Sequence, residues 1–232
     1  WSPYSYVMGN PVRLVDPMGA RTFFFDDKGN HLYTSNEKGD DVVTIIDDIF
    51  SSTFIKWYWD GENVEATRLL GTSYDVKSII DFTNRASKER DQSGDFYEKD
   101  SKGNFIPAKI EVGNYLYLDA MNNIAHIGGA DRDLIGTPTA TIYDNSEGSL
   151  TTIHYHPDNA RFVKFYTKND DLMTGTDVPG DKGPSDGDED RQKIRGGFYH
   201  IVTGENGRDG NSMYFYGSQK TVIEIPFSTF KK

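Results

Sequence analysis

At 232 residues the chain can bury a sizeable core, and 13% aromatic residues, with 14 Tyr and 14 Phe, give it a β-leaning globular composition. There is no cysteine, so neither a disulfide framework nor a thiol nucleophile is available, and any metal site must draw on His, Asp or Glu. A formal net charge of -11 with scattered basic residues argues against a nucleic-acid binder, which needs clustered Lys and Arg, and no apolar run reaches membrane-spanning length.

The opening stretch Tyr4-Ser-Tyr6-Val-Met-Gly-Asn10-Pro11-Val-Arg-Leu-Val-Asp16-Pro17-Met-Gly19 places Asn-Pro and Asp-Pro-x-Gly turns around a short apolar strand. In order and spacing it resembles the closing segment of the Rhs repeat-associated core, Y-x-Y-x-x-x-N-P-x-x-x-x-D-P-x-G. That resemblance implies that the chain is part of something longer and that residues after about 20 are the variable C-terminal tip of a polymorphic toxin, leaving the chemistry of the tip open.

Residues 21 to 68 read as a small antiparallel connector. Thr22-Phe-Phe-Phe25 and His31-Leu-Tyr-Thr34 flank the turn Asp26-Asp-Lys-Gly29-Asn30, the pattern of a hairpin, and Asp41 to Ile46 is a further strand. Trp57 and Trp59 share one face of a β pattern, either as packing or as a platform for a ligand.

From Asp75 to Arg90 the period changes: Val76, Ile79, Ile80, Phe82, Thr83 and Ala86 recur at helical spacing, and Ser93-Gly94 ends the run. Strands are expected at Asp95 to Glu98, Asn104 to Val112, Tyr115 to Leu118, Thr139 to Tyr143 and Arg161 to Thr167, with an irregular Gly-rich stretch from Ile124 to Gly136. Between Asn169 and Arg191 the composition turns to Asp, Gly, Pro, Thr and Ser, which reads as a long surface loop. Its acidic cluster Asp186-Gly-Asp188-Glu-Asp190 is either a solvated turn, a calcium loop without the EF-hand glycine and spacing, or the start of a short helix from Asp186 to Lys193 capped by Ser185. Gly197 to Thr203, Ser212 to Tyr216 and Thr221 to Ile225 are three closing strands, with His200 in a core or partner-bonded role.

Chemistry concentrates at Leu150-Thr-Thr-Ile-His154-Tyr-His156-Pro157. Alternate strand side chains share a face, so His154 and His156 can point at one ion while Tyr155 points away, and neutral imidazole is a common zinc ligand. The alternative is two ordinary strand histidines. With Pro184-Ser185-Asp-Gly-Asp188 downstream, the pattern resembles the JAMM (JAB/MPN) metalloprotease motif H-x-H-(P)…P-S-x-x-D. The resemblance implies zinc held by His154, His156 and Asp188, an open coordination position, Ser185 donating toward water or oxyanion, and a glutamate upstream as general base. Glu89, at the end of the expected helix, is the first choice for that base, with Glu98 and Glu111 as alternatives, and Asp186 or Asp190 could stand in for Asp188. Two features depart from the family: Ser185 lies far downstream of His156, and Tyr155 is bulkier than the residue usual between the histidines.

The expected architecture is therefore α+β, a mixed sheet flanked by helices over residues 69 to 232, preceded by the connector. The expected activity is zinc-dependent hydrolysis of peptide or isopeptide bonds by a secreted or delivered bacterial effector acting in the target-cell cytoplasm. Its partners would be a protein substrate, such as a ubiquitin-like modifier, and a cognate immunity protein. A metal-dependent nuclease toxin and a non-catalytic β-rich binding module are the alternatives, the former disfavoured by the acidic charge.

Overall fold

Aromatic and β-branched runs broken by Gly-containing turns recur along almost the whole chain, and the fold follows that pattern. The computed structural model describes residues 19–35, 37–38, 40–46, 68–119, 121, 123–129, 131, 133–135, 148–157, 164–166, 172–174, 197–206, 210–217 and 221–230. Among them are β1 (Gly19–Ala20), β2 (Thr22–Asp26), β3 (His31–Thr34), β4 (Glu37–Lys38), β5 (Val42–Ile46) and β6 (Gly71–Asp75), followed by α1 (Val76–Ala86). Then come β7 (Tyr97–Lys99), β8 (Phe105–Pro107), β9 (Val112–Asp119), β10 (Ile124–Ile127), β11 (Leu134–Ile135) and β12 (Thr151–His156). The chain closes with β13 (Lys164–Tyr166), β14 (Leu172–Thr174), β15 (His200–Asn206), β16 (Gly210–Tyr216), β17 (Thr221–Pro226) and a 3-10 turn at Phe227–Phe230.

One mixed sheet dominates, in the order β17-β16-β15-β12-β9-β10-β6-β5-β2-β3, with β11 also on β9, and it curls into a half-barrel. Three neighbour pairs are parallel, β12 with β15, β10 with β6, and β2 with β5. A separate four-stranded sheet, β14-β13-β7-β8, joins two hairpins through a seam at Tyr166 and Tyr97, and β1 pairs β4.

This corrects the expected α+β architecture. The protein is mostly β, and α1 is the one α-helix among the described residues. The flanking helices came with the resemblance, whereas only Asp75 to Arg90 carries a helical period in the sequence. Nor do the early strands form a small antiparallel connector. β2 pairs in parallel with β5, both belong to the main sheet, and Phe23, Phe25, Val43 and Ile45 share one core with Tyr74, Ile79, Phe82, Ile153 and Tyr155.

Helix α1 starts where Asp75 accepts from the Lys77 N–H at 2.9 Å, satisfying one of the unpaired first-turn donors. It ends at Ala86 with Ser87 as its C-cap, and Arg90, three residues on, bridges to Lys109. Val76, Ile79, Phe82 and Ala86 make its buried stripe against the sheet. Each large apolar side chain so buried contributes roughly 1.5–3 kcal/mol. Close approach of β6 to β5 requires Gly71, where a Cβ would lie 2.0 Å from the Ile45 carbonyl oxygen.

The two hairpins β2–β3 and β7–β8 share one turn design, D-x-K-G-N. Asp26 accepts from the Lys28 N–H at 3.0 Å, the Asn30 N–H at 2.7 Å and Asn30 Nδ2 at 2.8 Å. Asp100 repeats this with Lys102 at 2.8 Å, the Asn104 N–H at 2.9 Å and Asn104 Nδ2 at 3.0 Å. Gly29 and Gly103 take φ of 85° and 84°, the left-handed conformation that glycine adopts without penalty.

The Gly-rich stretch expected to be irregular in fact supplies β10 and β11. Of the remaining expectations, the Rhs-like segment up to residue 18, Trp57, Trp59, Thr139 to Tyr143 and the helix from Asp186 to Lys193 lie outside the described residues.

Candidate metal centre

The two faces of the sheet around β12 differ in kind. Ile153 and Tyr155 point into the apolar core with Val112, Leu116, Ile201, Met213 and Phe215. Thr152, His154 and His156 therefore point to the opposite face. Register fills that face in rows. Beside His154 stand Gly113 on β9 and Val202 on β15. Beside His156 stand Gly204 on β15 and, one position beyond the Tyr155–Val112 pair, Glu111.

His154 and His156 converge. Their Nε2 atoms are 3.0 Å apart and their rings 4.7 Å between centroids. Glu111 Oε1 lies 3.6 Å from His156 Nε2. His154 is 5% exposed, and the side chains of His156 and Glu111 are 12% and 13% exposed, so all three are largely withdrawn from bulk water. Two ring nitrogens at this spacing either share one proton or share one cation. A tetrahedral zinc at the usual Zn–N length holds two nitrogens roughly 3.3 Å apart, so the observed spacing needs only a few tenths of an ångström of adjustment. With a carboxylate alongside, the donor types are those that zinc takes. Among the described residues no group of three or more His, Asp or Glu side chains could by itself hold an ion, so Glu111 does not make a three-ligand set with the two histidines.

The other expected residues fall elsewhere. Glu89 sits in the turn after α1, its N–H bonded to the Ala86 carbonyl, and has no side-chain contact with either imidazole among the described residues. Glu98 is on β7 with Arg90 4.0 Å away. Ser185, Asp186, Asp188 and Asp190 lie outside the described residues. The glutamate that meets the histidines is thus Glu111, the residue just before β9.

Behind the pair the same face carries a buried polar and aromatic group. His200 is fully buried, with Nδ1 2.7 Å from Thr152 Oγ1, in keeping with the partner-bonded role expected for it. Tyr216 stacks on His200 at 5.3 Å and meets the His154 ring edge-on at 6.2 Å. Tyr214 donates to Glu224 Oε1 at 2.9 Å, and burial together with that acceptor holds its phenol well above the usual range. The sequence signal for this group was the alternation Ser212, Tyr214, Tyr216 along β16, which marks a second lined face without saying what it lines.

Comparison with protein-family models, with curated proteins and with solved structures finds no match to this chain.

Proposed function

We propose that the protein is a zinc-dependent hydrolase of peptide or isopeptide bonds in which His154 and His156 hold the ion and Glu111 is the general base. One observation carries it: two imidazole nitrogens 3.0 Å apart on a central strand, with a largely buried carboxylate 3.6 Å from one of them. Support comes from this local constellation and from the H-x-H…P-S-x-x-D pattern, not from the overall fold.

A zinc ion held there would supply a Lewis acid that polarises the scissile carbonyl and makes water a better nucleophile. Glu111, 3.6 Å from His156, would take a proton from the attacking water and return it to the departing amine. Low exposure of the three side chains raises the strength of every charge interaction among them. Asp188 as third ligand and Ser185 as donor to the oxyanion complete the proposal on the strength of the sequence pattern. So do a protein substrate such as a ubiquitin-like modifier, action in a target-cell cytoplasm and a cognate immunity protein. The net charge of -11 favours a protein substrate over a polyphosphate one.

The test is zinc content per folded chain for wild type, His154→Ala, His156→Ala and Asp188→Ala, followed by cleavage of an unfolded protein and of an isopeptide-linked one. About one zinc in wild type, most of it lost in each variant, and zinc-dependent cleavage are the expected results. A metal-replete wild type that carries no zinc overturns the proposal.

A further inference from the structure

On the histidine face His154 is flanked by the side chain of Val202 on the β15 side and by none on the β9 side. Gly113 offers no side chain on the β9 side, and Gly204 offers none to His156 on the β15 side. An imidazole on a strand can rotate about two side-chain torsions, and a ligand whose ring wanders loses ion affinity. Something must fix the ring.

The contacts that do so close on their own strand. His154 meets the Tyr216 ring at 6.2 Å and 86°, an edge-to-face approach. Tyr216 stacks on His200 at 5.3 Å and 27°. His200 Nδ1 is bonded to Thr152 Oγ1 at 2.7 Å, and Thr152 precedes His154 by two residues on the same face of β12. The path therefore leaves β12 at His154, crosses β15 to β16, returns through His200 and re-enters β12 one row away. Its members are Thr152 at 1%, His154 at 5%, and His200 and Tyr216 at 0% exposure. Being fully packed, none of them can turn without displacing the next.

We infer that Tyr216 is a positioning residue for His154, fixed in turn by His200 and Thr152, so that these three set the affinity of the ion site without touching the ion. The inference rests on the metal-site reading above. Tyr216 acts through its ring, so Phe should replace it and an aliphatic side chain should not. His200 acts through both its stack and its bond to Thr152, so His200→Phe keeps the first and loses the second.

Cobalt(II) serves as the probe, because its visible ligand-field bands report the geometry of nitrogen and oxygen donors. Affinity is measured by competition with a chromogenic chelator on full-length chains whose far-UV dichroism and cooperative melting match wild type. Tyr216→Phe is expected within about twofold of wild type. Tyr216→Leu is expected to bind roughly 10- to 100-fold more weakly, with altered band intensities, and His200→Phe to fall between them. If Tyr216→Leu does not fold, His200→Phe against wild type carries the comparison. Unchanged affinity and spectrum in the folded variants would overturn the inference while leaving the metal site standing. A wild type that takes up no cobalt overturns the metal site and this inference with it, a different outcome on the same plate.

Discussion

Glu111 and His156 meet because β9 and β12 are antiparallel neighbours. Pairing of Tyr155 with Val112 on the core face puts the next residue of each chain on the other face, where Oε1 and Nε2 come to 3.6 Å. A glutamate and a histidine distant in sequence thus become neighbours through register alone.

Glu111→Gln keeps shape and volume but removes the basic oxygen. It is expected to lower the rate of hydrolysis by about 10²–10⁴-fold with zinc content unchanged. Glu89→Gln, in the turn after α1, should leave the rate at the wild-type level. Parallel rate and zinc measurements on the two variants decide which glutamate works, and a reversed pattern would return the role to Glu89.

Gly113 stands beside His154 with no left-handed backbone requirement, so a side chain there is conformationally admissible. Gly113→Val should fold, with far-UV dichroism like wild type, yet bind zinc at least about tenfold more weakly because its methyl groups enter the row of the imidazole. Chelator competition gives the number. Equal affinity would show that the glycine serves only the strand.

Asp100 has its carboxyl held below the ordinary carboxylate range by the bonds from Asn104, first its side chain and then its backbone, outweighing burial. At Asp26 burial pushes the carboxyl up, but the bonds from Asn30 and Lys28 more than reverse it, again to a net lowering. A group whose folded pKa is depressed contributes stability above its unfolded pKa and loses it as pH falls through the folded one. Wild type should therefore be more stable than the double variant Asn30→Ala/Asn104→Ala at pH 5 to 7, and the gap should close below about pH 4. Urea midpoints across that range test it, and a gap that widens on acidification would contradict the turn account.

Asp91 is 3% exposed and accepts from the Ser93 N–H and hydroxyl, the Asp95 N–H and the Phe96 N–H. Burial pushes its carboxyl up, and those bonds bring it to a net lowered value. Asp91→Ala leaves several donors without this acceptor and should cost about 1–3 kcal/mol in urea unfolding, without changing zinc content.

Local chemistry was legible in the residues. The turn Asp26-Asp-Lys-Gly-Asn30 announced the β2–β3 hairpin, the spacing of Val76, Ile79, Phe82 and Ala86 announced α1, and alternation put His154 and His156 on one face. What depended on distant pairing was not. Nothing near Ile124 says that Ala125 will lie between Leu118 and Tyr74, so Gly128 and Gly129 made β10 look like loop. Likewise Glu111, expected inside a strand from Asn104 to Val112, lies just before β9, and its place beside His156 was not legible, since register across strands is set by the whole sheet. Beyond α1 and the short helix read at Asp186 to Lys193, the flanking helices of the α+β expectation had no such residues behind them; they came with the resemblance.

Strand β12 is hydrogen-bonded on both sides, to β9 and to β15. Its amides should therefore exchange with solvent only when the sheet as a whole opens, not by fraying at an edge. An ion captured by His154 and His156 would bind the native chain alone, so loading would slow exchange in strands far from it, and losing the metal would loosen the entire sheet rather than one corner.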